Sequence, residues 1–346
     1  MKTPLKCLFA IPLLFIACQD NEVISTSQEE VHSFILDEST LINIEDKDLY
    51  SKDLQSKQSM EDFAASINEA LVDEGIQLSK MELLGYEEAG ITVRFKSVGN
   101  QHEPLDFVPD DPRNFFPGTD QLYWVDGTEL ETSSGMSSEE TLAAIDSAMS
   151  TWSSVSCSEG LNIVNAYVTN PNGPFKDVGV VQRLRGFGGA FNVIRGSILF
   201  GGILPGEFFV TPTRPNGDTR IAGVTFTFGF TNQGVPTDID NNGKFDVAFR
   251  EIYFNDNFDW QDAPDDIVSN GRILDFETVA LHEAGHGLSQ GHFGKGFTDK
   301  KGEVHFAPRA VMNAGAKGGQ RELLGTDNAG PVSYTHLRAH ETALRI

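Results

Sequence analysis

The 346-residue sequence is short of basic residues, of long apolar runs and of cysteine. Lys and Arg number 26 against 50 Asp and Glu, for a formal net charge of −24. A phosphate backbone is bound by clustered Lys and Arg, so this balance argues against a nucleic-acid partner. It suits a soluble protein outside the cytoplasm. The apolar run Leu8 to Ile16 is too short to span a bilayer. No repeat of repeat-protein length occurs. What is present, 39% hydrophobic and 22% charged residues, is the composition of a globular chain rather than a disordered one.

The run from Leu8 to Ile16 follows Lys2 and Lys6 and precedes Ala17-Cys18, the layout of a secretory signal. Phe15-Ile16-Ala17-Cys18 resembles a bacterial lipobox, in which Cys18 becomes the lipidated first residue. Gln19-Asp20-Asn21-Glu22 resembles the acidic stretch that directs some bacterial lipoproteins to the cell surface. A lipid on Cys18 contributes about 0.8 kcal/mol per buried methylene and holds the protein at a membrane surface. An ordinary signal peptide with an incidental Cys is the alternative. The expectation is a lipoprotein of the bacterial cell surface or outer membrane, facing the extracellular space. Besides Cys7 and Cys18 only Cys157 remains, and one leftover Cys in an exported protein suggests a missing partner. A buried free thiol explains it equally well.

Four stretches are expected: a signal peptide over 1–17, an acidic tether with a small prosegment or accessory domain over 18–117, a catalytic domain over 118–330, and a non-native tail over 331–346. From Asn21 to about Lys57 the chain is polar and acidic and reads as the tether. Met60, Phe63, Ala64, Ile67 and Leu71 recur at helical spacing, with Gly75 as a stop. Ile91, Val93 and Phe95 alternate with polar residues as in a strand. Pro104, Pro109, Pro112 and Pro117 mark a linker. Beyond it, strands are expected at Leu122–Val125, Leu161–Val168, Val178–Gln182, Ile221–Phe230 and Glu251–Asn255. A helix is expected from about Ser138 to Val155, with Leu142, Ile145, Met149 and Trp152 as its apolar stripe and Ser137 or Ser138 with a Glu at its start. The Gly-rich stretch 186–206 reads as a loop or bulged hairpin packed closely on something. Pro331-Val332-Ser333-Tyr334-Thr335-His336-Leu337-Arg338 resembles translated sequencing adapter and is set aside, so His336 and His340 are not metal-ligand candidates.

The chemistry is concentrated at Asp275-Phe276-Glu277-Thr278-Val279-Ala280-Leu281-His282-Glu283-Ala284-Gly285-His286-Gly287-Leu288-Ser289-Gln290-Gly291-His292. Asp275 suits an N-cap and Glu277 favours the helix dipole. Six apolar residues leave little polar face, so the helix should be buried. His282 and His286, one turn apart, aim both imidazoles at one ion. Glu283 is placed to take a proton from a metal-activated water. Gly285 and Gly287 weaken the helix so that His292 can return as third ligand. Three neutral nitrogens with an open position make a catalytic rather than a structural zinc site.

The spacing His282-Glu283-x-x-His286-x-x-Ser289-x-x-His292 resembles the zinc motif of the metzincin metalloproteases, and Val279-Ala280-Leu281-His282-Glu283 is similar to matrixins. Ala310-Val311-Met312-Asn313 resembles the Met-turn of that family, with Met312 beneath the metal. Ala148-Met149-Ser150-Thr151-Trp152 resembles its first catalytic helix, and Glu251 to Asn255 with Trp260 the strand leading to the zinc helix. The resemblance covers roughly residues 120–330 and implies an α+β fold, a twisted mixed sheet with a buried zinc helix and a cleft along an edge strand. That edge pairs with extended substrate by β-augmentation, and Val224 to Phe228 is its candidate. The departures are specific. Ser289 stands where the family has a Gly of positive φ, and Phe293 matches no subfamily marker. No Tyr follows Met312, so a tyrosine ligand is not indicated. No Cys lies between Gln19 and Ser156, so the matrixin switch cysteine is missing. The helix expected after the Met-turn is cut off.

Asp238-Ile239-Asp240-Asn241-Asn242-Gly243-Lys244-Phe245-Asp246 resembles the start of a calcium loop, with Asp238, Asp240, Asn242 and Asp246 as oxygen donors. Phe249 occupies the place of the bidentate Glu, and a polar hairpin tip explains the same residues. His305, His32 and His102 are not taken as ligands. The sequence therefore implies a zinc metalloendopeptidase acting on extracellular proteins or peptides, with calcium as a second candidate ion. A zinc amidase acting on cell-wall peptides and a catalytically inactive binding lipoprotein on the same scaffold are the alternatives. Glu283 argues against the last.

Overall fold

In this computed structural model the described residues are 32–35, 41–43, 60–86, 90–94, 105–108, 111–114, 121–125, 130–154, 163–169, 179–188, 192–194, 197–212, 214–262, 273–301, 304–316 and 318–327. The first elements are β1 (His32–Ile35), β2 (Leu41–Asn43), α1 (Met60–Leu71), β3 (Ile76–Tyr86), β4 (Ile91–Arg94) and β5 (Leu105–Asp106). They are followed by β6 (Gln121–Val125), α2 (Ser138–Ser153), β7 (Ile163–Thr169), α3 (Val180–Leu184), β8 (Asn192–Ile194) and β9 (Ile198–Leu204). Next come α4 (Gly217–Arg220), β10 (Ile221–Asn232), β11 (Val235–Pro236), β12 (Phe245–Asn255), β13 (Asp259–Gln261) and β14 (Ile273–Asp275). The last are α5 (Phe276–Gly287), β15 (Lys295–Thr298), β16 (Val304–Ala307) and β17 (Gly315–Ala316).

The fold is α+β around a mixed sheet, as the sequence implies. Its path runs β1-β7-β6-β9-β12-β10-β3-β17. Neighbours from β1 to β12 are parallel, β10 is antiparallel to β12, and β3 is antiparallel to β10. Parallel strands are stable only with both faces covered, and β3, β9 and β12 are buried throughout or nearly so. On one face α2 and α5 pack Ile145, Met149, Trp152, Val279 and Leu281 onto Ile198, Phe200, Ala222, Ile252 and Phe254. On the other, α1 and α3 pack Phe63, Ile67, Leu71 and Val181 onto Met81, Leu83, Val224, Phe226 and Tyr253.

Helix α1 forms where its apolar spacing places it, and Gly75 ends the turn after it at φ +65°. Helix α2 is opened by a capping box. Glu140 N–H donates to Ser137 Oγ at 3.3 Å, and Glu140 Oε2 accepts from Ser137 N–H at 2.8 Å; such a cap contributes about 1 kcal/mol. Leu142 is exposed and not part of the buried stripe, which is Thr141, Ala144, Ile145, Ala148, Met149 and Trp152.

Two expectations are corrected. Val178–Gln182 is not a strand, because α3 begins at Val180. The buried Glu251 carboxylate accepts the Val180 and Val181 N–H groups at 2.6 and 3.1 Å, capping that helix from the sheet. The Gly-rich stretch is not a loop, since it contains β9, a buried strand between β6 and β12. A side chain at Gly201 would collide with the Tyr253 ring, so glycine here serves close packing. Strand β3 was not foreseen by the sequence reading. It hydrogen-bonds to β10 over nine residue pairs and to β4, so the segment expected as a small prosegment or accessory domain shares a sheet with strands after residue 117. The candidate edge Val224–Phe228 is therefore paired on both sides, with β12 and with β3. Among the described residues no helix is long and apolar enough to cross a membrane.

Candidate metal centre

Helix α5 starts at Asp275, whose carboxylate accepts from Thr278 N–H at 3.0 Å and is clamped by Arg321. From Val279 to Leu288 every residue is buried. Trp152 of α2 donates its indole N–H to Leu281 O at 2.8 Å, locking α2 to the helix one residue before the first histidine. Gly285 is required by packing: a side chain there would collide with Met312 Sδ and Trp152. The helix continues through Gly287, and the reversal comes two residues later. Ser289 has φ +64°, the left-handed conformation expected where the motif carries glycine. Its hydroxyl accepts a hydrogen bond from the buried Arg250 guanidinium, which holds the strained residue in place.

That reversal brings His292 back to the helix. The imidazole centroids of His282 and His286 are 4.7 Å apart, those of His286 and His292 4.7 Å, and those of His282 and His292 5.3 Å. One ring nitrogen from each lies within 4.8 Å of the others, and among the described residues no fourth His, Cys, Asp or Glu joins this cluster. The backbone decides which nitrogen is offered. His282 Nδ1 is 2.7 Å from Val311 O, and His286 Nδ1 is 2.7 Å from Gln290 O. A carbonyl only accepts, so each Nδ1 carries the proton and each Nε2 keeps its lone pair. The Nε2 atoms of His282 and His286 are buried with no hydrogen-bond partner among the described residues. Burial pushes the basicity of His282 down to about 4. For His286 burial, His282 and Lys80 push it well below the usual value. Both rings are thus neutral at ordinary pH, as metal ligands must be.

Met312 lies beneath this group in the turn Ala310–Asn313. Its carbonyl accepts from Phe293 N–H at 2.7 Å, tying the turn to the residue after His292. Asp327 holds the same turn, accepting Val311 N–H at 3.0 Å and Met312 N–H at 3.2 Å.

Glu283 is fully buried. Its Oε2 accepts from the Thr225 hydroxyl at 2.6 Å, whereas Oε1 has no hydrogen-bond partner among the described residues. Gly223 gives that oxygen room, because a Cβ there would stand 2.5 Å from it. Burial raises the Glu283 pKa well above the usual carboxylate value, against the Thr225 hydrogen bond. The register sets Thr225 beside Glu82 of β3. Glu82, also fully buried, has Oε2 2.9 Å from Lys80 Nζ and 3.3 Å from His286 Nδ1. The Lys80–Glu82 contact is an ion pair, whereas the neutral His286 ring lies beside Glu82 with its proton given to the nearer Gln290 oxygen. A cavity of about 370 Å³ adjoins the centre, lined by His282, Leu84, Val279, Val311, Ala316 and Arg309 among others.

Sequence reasoning named the three histidines, Glu283 and Met312; the fold brings a ring nitrogen of each histidine within 4.8 Å of the others and sets Met312 against Gly285 of the same helix. It missed Thr225, Gly223, Glu82 and Asp327. The alternation Val224-Thr225-Phe226-Thr227-Phe228 reads as one apolar and one solvent face, yet Thr225 and Thr227 are buried. Glu82 and Asp327 carry no local signal, because their partners lie far along the chain.

The calcium-loop residues gather as expected, with carboxylates of Asp238, Asp240 and Asp246 within 4.8 Å of one another. They already have partners: Asp246 Oδ2 is 2.6 Å from Arg113 Nη2 and from Thr237 Oγ1, and Asp238 accepts Asn242 and Gly243 N–H at 3.0 and 2.8 Å. The Asn242 carbonyl oxygen of the side chain accepts Lys244 N–H at 2.8 Å. A self-satisfied polar tip accounts for these contacts. His305 meets Asp299 at 3.2 Å and stacks on Phe297. Cys18, Cys157, His102, His336 and His340 lie outside the described residues, and nothing here bears on the lipid anchor or the tail. Neither a protein-family model nor a curated protein matches the chain.

Proposed function

We propose that the chain is a zinc-dependent metalloendopeptidase of the metzincin type, hydrolysing peptide bonds of extracellular proteins. The observation that carries this reading is the convergence of three imidazoles, those of His282 and His286 buried and neutral, with one ring nitrogen from each within 4.8 Å of the others, next in sequence to Glu283, whose Oε1 has no hydrogen-bond partner among the described residues. Three nitrogen donors suit zinc and leave a coordination position open. His282, His286 and His292 would hold a zinc ion, which would supply Lewis acidity to a water and a carbonyl.

The chain's own residues do the remaining work. Glu283 Oε1 is the group placed to take the proton from the attacking water and to deliver it to the departing amine nitrogen. Thr225 fixes Oε2, so the carboxylate presents one oxygen in one orientation. Val311 O and Gln290 O fix the imidazole planes. Water is excluded from the back of the site by Trp152, Leu281 and Met312. Glu283 favours this reading over an inactive binding protein, because a scaffold that only binds has no use for a buried carboxylate with an unmet oxygen.

The test compares purified wild-type protein with Glu283→Ala on casein and on a peptide library, with zinc content measured in both. The expected result is one zinc per chain in each and turnover in the wild type alone. Equal cleavage by the two proteins would falsify the role of Glu283.

A further inference from the structure

The cavity beside His282 is unlike the rest of the molecule in charge. The chain carries 50 Asp and Glu, yet among the described residues none of them lines this space of about 370 Å³. Val279, Val311 and Phe306 give it apolar wall. Besides His282, its polar side chains are Thr278, His305, Arg309, Asn313 and Gln320. Three of these are engaged in holding the protein together. The Thr278 hydroxyl donates to Asp275 Oδ2 at 2.6 Å and accepts Gln320 N–H at 2.8 Å. Asn313 accepts Ala310 N–H at 2.9 Å and donates to Phe293 O and Pro308 O, which closes the turn around Met312. His305 meets Asp299.

Arg309 and Gln320 behave differently. Arg309 Nε donates to Gln320 Oε1 at 3.1 Å, and its Nη2 donates to Gly319 O at 3.2 Å. A guanidinium only donates, so the Gln320 amide cannot turn over without setting two donors face to face. Its NH2 group is therefore the end that points away from Arg309. That Nε2 is buried and has no hydrogen-bond partner among the described residues. A donor buried without an acceptor destabilises a protein until something supplies one. Both hydrogen bonds of Arg309 go to neutral oxygens, and a guanidinium has five N–H groups to give. We infer that this cavity takes an acidic side chain of the substrate, from a residue adjoining the bond to be cut, with Gln320 Nε2 and the Arg309 guanidinium donating to its carboxylate. The inference rests on the hydrolase reading and names a substrate class for it. An apolar side chain would fill the same space but leave Nε2 unmet, and a basic one would meet the charge of Arg309. A carboxamide would answer Nε2 without answering that charge.

The experiment uses the full chain loaded with zinc and a set of peptides in which the residues on either side of the cut vary among Glu, Gln, Leu and Lys. Cut positions are read by mass spectrometry and kcat/KM is measured for each peptide. Binding of the same peptides, fluorescently labelled, is measured by anisotropy on the Glu283→Ala protein. Glu adjoining the cut should be favoured over Leu roughly 10- to 100-fold in kcat/KM and in affinity, with Gln between them and Lys last. Gln320→Leu should shrink the ratio of Glu to Leu towards one, and Arg309→Glu should turn the preference from Glu to Lys. Zinc content measured in each variant shows that the centre is intact. Peptides with Leu or Lys at that position cut and bound as well as those with Glu overturn the inference. So does a preference for Glu that both variants keep at its wild-type size. Selective binding of Glu peptides with no peptide cut by the wild type keeps the acidic ligand and rejects the hydrolase reading instead.

Discussion

The hydroxyl of Thr225 donates to Oε2 of Glu283 across 2.6 Å, joining the middle of a strand to the residue after the first metal-site histidine. Both side chains are fully buried, so no water substitutes for either partner. The contact turns a carboxylate that burial disfavours into one with a single available oxygen.

Thr225→Val removes the donor and keeps the shape. A hydrogen bond to a charged group contributes about 1.5–3 kcal/mol, so kcat should fall roughly 10- to 100-fold. Zinc content and KM should stay near wild type, and Thr225→Ser should recover most of the rate. A drop in zinc content parallel to the loss of rate would assign Thr225 to folding instead.

Asp327 is placed to support the proposed metal site through backbone. It holds the Val311 and Met312 N–H groups, and the Val311 carbonyl in turn orients His282. Asp327→Ala should weaken zinc binding about 10- to 100-fold, the usual effect of losing an outer support of a ligand. Competition with a chromogenic chelator measures it, and unchanged affinity would detach Asp327 from the centre.

Gly285→Ala places a methyl group against Met312 and Trp152 in a packed core. Overpacking of this kind costs about 1–3 kcal/mol. Denaturant unfolding should show that loss, with a midpoint lower than wild type, and an unchanged midpoint would mean the core has slack there.

Glu251 supplies a pH test on the far side of the sheet. Burial raises its pKa to about 7, against hydrogen bonds from Val180, Val181 and Tyr253. The unfolded carboxyl ionises near its ordinary value of about 4.5. Between these values the folded state holds a proton the unfolded state has released, so stability falls as pH rises from about 4.5 to 7. Glu251→Gln should flatten this fall relative to wild type in urea titrations across that window. The histidines act oppositely. The folded His282 titrates near 4 and the unfolded ring near 6.5, so metal-free protein should lose stability as pH drops through that range.

The clustering of the three histidines was legible because they are local in the chain. A three-turn helix and the reversal after it bring His282, His286 and His292 together, and spacing alone carries that information. Helix α1, the capping box of α2 and the alternation of β10 were legible for the same reason. β3 was not, because Lys80 and Glu82 interrupt its apolar pattern, and their burial depends on His286 two hundred residues away. The α3 segment reads as a strand because nothing nearby announces that Glu251 caps it. β9 reads as a loop because its glycines answer to Tyr253, which comes fifty residues later.

Zinc titration of metal-free protein addresses the three converging imidazoles most directly. Calorimetry should give one tightly bound zinc per chain for the wild type, and heavy loss of binding for each of His282→Ala, His286→Ala and His292→Ala. Wild-type protein that takes up no zinc, or a triple variant that binds it as well, would contradict the account.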